Sequence, residues 1–172
     1  MKSIQVCLCS ILTLIATAIS ALSAESTSMV NGISVSPYYT LGLANFDGEA
    51  KSGVGLDIGL NLSKTVQVVS FVETDDTEHN FVDRFGLGLQ MTGRLGKWLK
   101  PYARLSGGHV FDSSTGLAED SFFLRPEFGG IIDLWRKGNW HVSVDASWGL
   151  DVDTKGNADQ RLKAGLVFGT SF

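Results

Sequence analysis

The sequence predicts an all-β fold: an eight-stranded antiparallel up-and-down transmembrane β-barrel, preceded by an export segment. Three observations predict it. Apolar and polar residues alternate with period two in stretch after stretch, the pattern of strands with one apolar face. The connections between these stretches alternate between short basic turns and longer acidic loops. The last stretch, "RLKAGLVFGTSF", carries Leu162, Ala164, Leu166, Phe168, Thr170 and Phe172 on one side and Arg161 and Lys163 on the other.

The chain opens with Met1-Lys2, an apolar run from Val6 to Leu22 and the small residues of "SALSA". This is the pattern of a cleaved signal peptide over residues 1–24, with the cut after Ala24 or Ser23. A membrane-spanning helix competes for the same segment, but the run is short and no basic stop-transfer flank follows. Both cysteines, Cys7 and Cys9, lie inside it, so the exported part has no thiol, no disulfide and no cysteine metal site. Without Lys2 the 14 Lys+Arg become 13 against 18 Asp+Glu, about −5, which argues against a nucleic-acid partner. Residues 25–172 fit a single domain.

The strands follow in order. Ile33, Val35, Pro37, Tyr39, Leu41 and Leu43 alternate with Ser34, Ser36, Tyr38 and Thr40. Val54, Leu56, Ile58, Leu60 and Leu62 alternate with glycines, Asp57 and Asn61. Residues 65–74 form a third strand by position, with Val66, Val68 and Val72 on the apolar face and Gln67 and Glu73 opposite. Phe85, Leu87, Leu89 and Met91 alternate with Arg84, Gly86, Gly88 and Gln90. In residues 101–111, Ala103 and Leu105 are apolar and Arg104 polar, and Gly107-Gly108 reads as a candidate bulge that shifts the phase. Phe122, Leu124, Pro126, Phe128, Ile132 and Leu134 alternate with Arg125, Glu127 and Asp133; Pro126 strains this strand because it cannot donate to a ladder. Trp140, Val142, Val144, Ala146, Trp148 and Leu150 alternate with His141, Ser143, Asp145 and Asp151. The stretch ending at Phe172 is the eighth. The many glycines make helix a poor competitor.

The connections Asn45–Ser52, Thr74–Asn80, Asp112–Asp120 and Asp153–Gln160 hold ten acidic residues and two basic ones. Ser63–Thr65, Gly96–Lys100 and Trp135–Asn139 hold five basic residues and no acidic one, so the two ends of the barrel differ chemically.

Alternation alone does not say which face is outside. A soluble lipocalin-type barrel would put the apolar rows inward. The inverted arrangement is favoured by apolar rows long enough to cross a bilayer, which takes a tilted strand about 9–11 residues. Turns that are short at one end and longer at the other agree with it. So do aromatics near both strand ends: Trp98, Trp135, Trp140 and Phe172 at the short-turn end, and Phe46, Phe81, Phe85, Phe111 and Phe122 at the loop end. These read as interfacial girdles.

The terminal Phe172, with Phe168 and Leu166 at alternate positions before it, resembles the C-terminal signature of bacterial outer-membrane barrels; Thr170 is milder than that class prefers. The whole exported chain resembles their small eight-stranded group, that of the OmpA membrane domain, OmpX and NspA. The resemblance implies residence in the bacterial outer membrane among lipid and lipopolysaccharide, recognition of the signature by the barrel-assembly machinery, and a monomer.

With apolar faces outward, the polar faces line an interior just wide enough for side chains. Buried charges there must be paired. The expected network is Asp57, Glu73, Arg84, Arg94, Arg125, Glu127, Asp145, Asp151, Arg161 and Lys163. Hairpin geometry puts Arg125 diagonal to Asp151, Asp151 across from Arg161 or Lys163, Glu127 diagonal to Asp145, and Arg84 within reach of Glu73. Asp57 and Arg94 get no partner this way.

The expected function is a structural or membrane-integrity role with a polar, ion-paired lumen, no catalytic site, no cofactor and no metal. The alternatives are a narrow gated, porin-like channel, a surface interaction protein and a lipid A-modifying enzyme. "HVSVD" brings His141, Ser143 and Asp145 onto one strand face, a line pointing into the lumen and not a triad in hydrogen-bond order. The loops are small against the roughly 800 Å² per partner of a stable complex. His79 and His109 read as solvated loop residues, lacking a second histidine at ligand spacing.

Overall fold

The structure is a computed structural model that describes residues 32–43, 52–77, 80–112, 121–156 and 158–171. The expected signal peptide, Phe46, His79 and Phe172 lie outside the described residues. Eight strands run β1 (Gly32–Leu43), β2 (Ser52–Asn61), β3 (Val66–Thr77), β4 (Asn80–Thr92), β5 (Leu99–Asp112), β6 (Ser121–Lys137), β7 (Trp140–Asp153) and β8 (Ala158–Ser171). Each pairs antiparallel with its sequence neighbours, and β1 pairs with β8 to close the barrel. Closure removes every sheet edge, which a strand in hydrocarbon requires.

Period two sorts the side chains. Leu87 is 62 % exposed and Phe128 57 %, while Arg125 is 4 % and Lys163 7 %. Leu89, Leu105, Leu166 and Phe168 also face outward. The interior is therefore polar and the exterior apolar, the arrangement of a transmembrane barrel.

Several local expectations are corrected. The β3–β4 hairpin runs to Thr77 and Asn80, so Asp75, read from sequence as a loop residue, is an inward strand residue. Gly107-Gly108 is no bulge: β5 keeps register through Leu87↔Gly107 and Gly86↔Gly108. Gly86 and Gly108 instead let the two backbones lie flat under the Phe71 and Phe123 rings. The ladder shifts between Asp133 and Trp135, with Leu134 as the extra residue. Two residues with outward side chains in succession return Arg136 to the face of Asp133, so these residues three apart make an ion pair of 3.4 Å.

The prolines fall where a ladder is interrupted. The β6–β7 pairing lacks the positions of Arg125 and Pro126, while Pro126 pairs with Leu105 on its other side. Likewise the β1–β8 pairing skips Ser36 and Pro37, and Pro37 pairs with Leu56. Each missing N–H thus affects one of two ladders. Gly138 (φ +59°) supplies the left-handed residue of the tight β6–β7 turn.

Candidate functional site: the charged lumen

Two ion-pair clusters fill the barrel interior. The one nearer the loops holds Glu73 and Asp75 on β3, Arg84 on β4, Arg125 on β6, Asp151 on β7 and Arg161 on β8. Arg84 bonds Asp75, and its Nη1 lies 3.7 Å from Glu73. Arg125 bonds Asp151 along one edge and reaches Glu73 at 3.1 Å. Arg161 bonds both Glu73 and Asp75, with its Nε 3.0 Å from Asp151. Three guanidinium groups thus face three carboxylates. Phe71 and Phe123 pack edge to face, and the Arg125 guanidinium lies 5.3 Å from each ring centroid.

The second cluster lies deeper towards the short turns. Arg104 on β5 donates through Nε to Glu127 at 3.1 Å and through Nη1 to Asp57 at 2.7 Å. Lys163 Nζ is 2.6 Å from Asp57, 3.3 Å from Asp145 and 3.5 Å from Glu127. The Tyr102 hydroxyl lies 2.9 Å from both Glu127 and Asp145, and Ser147 donates to Glu127 at 2.8 Å. Here three carboxylates share two cations. Tyr38 joins the clusters: its hydroxyl donates to Glu73 at 3.3 Å, and Lys163 Nζ sits 4.6 Å from its ring centroid.

The structure brings together nine of the ten residues expected in the network: Asp57, Glu73, Arg84, Arg125, Glu127, Asp145, Asp151, Arg161 and Lys163. Arg94 is the exception. β4 ends at Thr92, and Gly93 leads Arg94 into an exposed turn where it makes no ion pair among the described residues. Asp151 takes Arg161, not Lys163, across the β7–β8 hairpin. Sequence reasoning missed Asp75, Arg104, Tyr38, Tyr102, Phe71 and Phe123 as members. Arg104 was legible as an inward cation, but its partner Asp57 lies across the lumen.

His141, Ser143 and Asp145 all face inward. Ser143 Oγ donates to Asp133 at 2.8 Å, and the His141 ring covers Gly169. His109 is not a solvated loop residue. It lies within β5 on the outer face, stacked near Phe85 and Phe111 and edge-on to Phe122. Phe85 and Phe122 thus lie on the outer wall at the loop end, and Trp98, Trp135 and Trp140 are exposed at the other. Among the described residues no group of three His, Cys, Asp or Glu side chains is arranged to hold a metal ion.

No protein-family model and no curated protein matches the chain. Solved structures do. The crystal structure of Neisserial surface protein A (NspA) aligns with a TM-score of 0.57 at 12% identity, over 82% of this chain and 96% of that one. The N-terminal β-barrel domain of Pseudomonas aeruginosa OprF aligns with a TM-score of 0.57 at 15% identity, over 81% and 98%. Ail, the attachment invasion locus protein of Yersinia pestis, aligns with a TM-score of 0.52 at 15% identity, over 83% and 99%. At these identities the likeness speaks for the fold: the chain has the fold of the small eight-stranded outer-membrane β-barrels.

Proposed function

We propose that the protein is an integral outer-membrane barrel with a structural, membrane-integrity role, closed by its own lumen side chains. The observation that carries this reading is that ion pairs cross the barrel as well as linking neighbouring strands. Arg104 on β5 reaches Asp57 on β2, and Arg125 on β6 reaches Glu73 on β3. Such bonds occupy the space an ion would need, in a barrel whose interior is only side-chain wide. They also brace strands that share no ladder.

The surrounding lipid and lipopolysaccharide are its partners in this reading. Leu166 and Phe168 face outward, as a signature read by the assembly machinery requires. Planar-bilayer recording tests the closed lumen. Neither the wild type nor Arg125→Ala gives unitary current steps. Reproducible steps in the wild type would replace this function with that of a channel.

A further inference from the structure

Below the second cluster the lumen widens into a cavity of about 680 Å³ that opens between the short turns. Its charge is unlike that of the lumen above it. Lys64, Arg94, Lys100 and Arg136 line it, with His141 beside them, and no carboxylate is among the described lining residues. Asp133, just outside the lining, pairs with Lys100 at 2.7 Å and Arg136 at 3.4 Å, so one carboxylate serves two cations. Lys64 and Arg94 make no ion pair among the described residues and are exposed in turns on adjacent sides of the mouth. Neutral donors complete the wall: the amides of Asn61, Gln67 and Gln90.

We propose that this cavity is a binding site for a phosphate-bearing anion. Four cations around one concavity, with the single charge of Asp133 set against two of them, hold a standing positive potential, and low-dielectric barrel walls focus it. A guanidinium fork and ammonium groups together suit a multivalent oxyanion, whose several oxygens take charged bonds from different sides. The volume falls in the range of small-molecule sites, about 300–1,000 Å³, so the phosphate can carry an organic group. Two sources present this chemistry at a membrane mouth: a soluble phosphate ester and a phospholipid headgroup.

The test is isothermal titration of inorganic pyrophosphate into the folded barrel in a neutral maltoside detergent. Saturable binding is expected. Lys64→Ala combined with Arg94→Ala weakens it by at least about tenfold, the effect of losing one charge-assisted contact. Lys155→Ala, which removes an exposed cation beyond β7 at the loop end, leaves it unchanged. Lys64 and Arg94 lie outside the strands, so the double variant keeps the barrel, which heat-modifiable gel migration checks. Competition in the same phosphate-free detergent separates the sources. Displacement of pyrophosphate at lower concentration by a soluble short-chain phosphatidylglycerol than by glycerol phosphate identifies the headgroup as occupant, and the reverse order identifies a soluble phosphate ester. Absence of saturable binding, or binding indifferent to the double variant, overturns the proposal.

Discussion

Replacing Arg104 with alanine removes the cation that donates most of the charged hydrogen bonds in the deeper cluster. Asp57, Glu127 and Asp145 are then left to Lys163 alone, whose Nζ already lies 2.6, 3.5 and 3.3 Å from them. Breaking a buried pair from one side leaves an uncompensated charge and costs about 3–5 kcal/mol. Arg84→Ala is the internal comparison. Its partner Asp75 keeps Arg161, and its neighbour Asp159 is partly exposed, so water can reach that end of the lumen. That loss is closer to that of a charged hydrogen bond, about 1.5–3 kcal/mol. The Arg104 variant is therefore the less stable of the two. Adding Glu127→Ala to Arg104→Ala recovers part of the loss, because it removes one of the stranded carboxylates. The coupling expected for contacting residues is about 0.5–3 kcal/mol.

Equilibrium unfolding in denaturant from lipid vesicles measures these differences through midpoint and slope. Trp98, Trp135, Trp140 and Trp148 all face outward, so their emission reports departure from lipid. An Arg104→Ala barrel within about 0.5 kcal/mol of wild type would place that guanidinium among surface groups and refute the reasoning. A double variant whose loss equals the sum of the single losses would refute the pairing.

Three other perturbations test the frame around this network. Leu105→Arg puts a charge on the lipid face near mid-strand and costs about 2–4 kcal/mol in the same assay; no cost would mean that this face meets water. Gly108→Val drives a side chain into the Phe85 carbonyl and the Gly86 backbone across the ladder, and abolishes the heat-modifiable folded species on gels. Gly93→Ala meets only Pro101, at 3.6 Å, and stays within about 1 kcal/mol of wild type, so equal behaviour of the two would refute the close packing. Deleting Leu134 restores a regular ladder between Asp133↔Ser143 and Trp135↔Val142 and leaves Arg136 facing inward; the shortened chain still folds, and its failure would show that the extra residue is required.

Strand existence and facing were legible where alternation is clean, because period two needs only local sequence. Arg84 and Arg125 inward and Leu87 and Phe128 outward follow from it, whereas residues 65–74 were placed by position and the phase of residues 101–111 was open at Gly107-Gly108. Strand ends were not legible. Alternation carries Gln90 and Thr92 on to Arg94, and nothing local reveals that β4 ends at Thr92 and that Arg94 is exposed in the turn beyond it. At the other end of the sheet, the acidic residues from Asp75 to Glu78 read as a loop because isolated carboxylates rarely sit in strands; the arginines that compensate Asp75 come from β4 and β8. Hairpin geometry found Arg125–Asp151 because β6 and β7 are neighbours. It could not find Arg104–Asp57, since two strands intervene and only barrel closure brings them together. His109 was missed for a related reason: a bulge at Gly107-Gly108 would have changed its phase, and the three phenylalanines that make its surroundings apolar come from two other strands and its own.

A soluble domain of this length would be held by burying its apolar residues against one another. Here Leu87, Leu105, Phe128 and their neighbours face outward, so hydrocarbon takes the place of a partner layer. Insertion rewards the apolar face but does little to fix the barrel's cross-section, because lipid packs against any outline. Ladder hydrogen bonds hold each strand to its two neighbours and leave the barrel free to flatten. What resists flattening is contact between strands that are not neighbours, and the charged lumen supplies it: β5 to β2 through Arg104, β6 to β3 through Arg125, and β8 to β3 through Arg161. The ions that would be a liability in a soluble core thus become the struts of this one. Because each strut joins side chains from distant parts of the sequence, they form only as the barrel closes, which ties pairing of β1 with β8 to completion of the network.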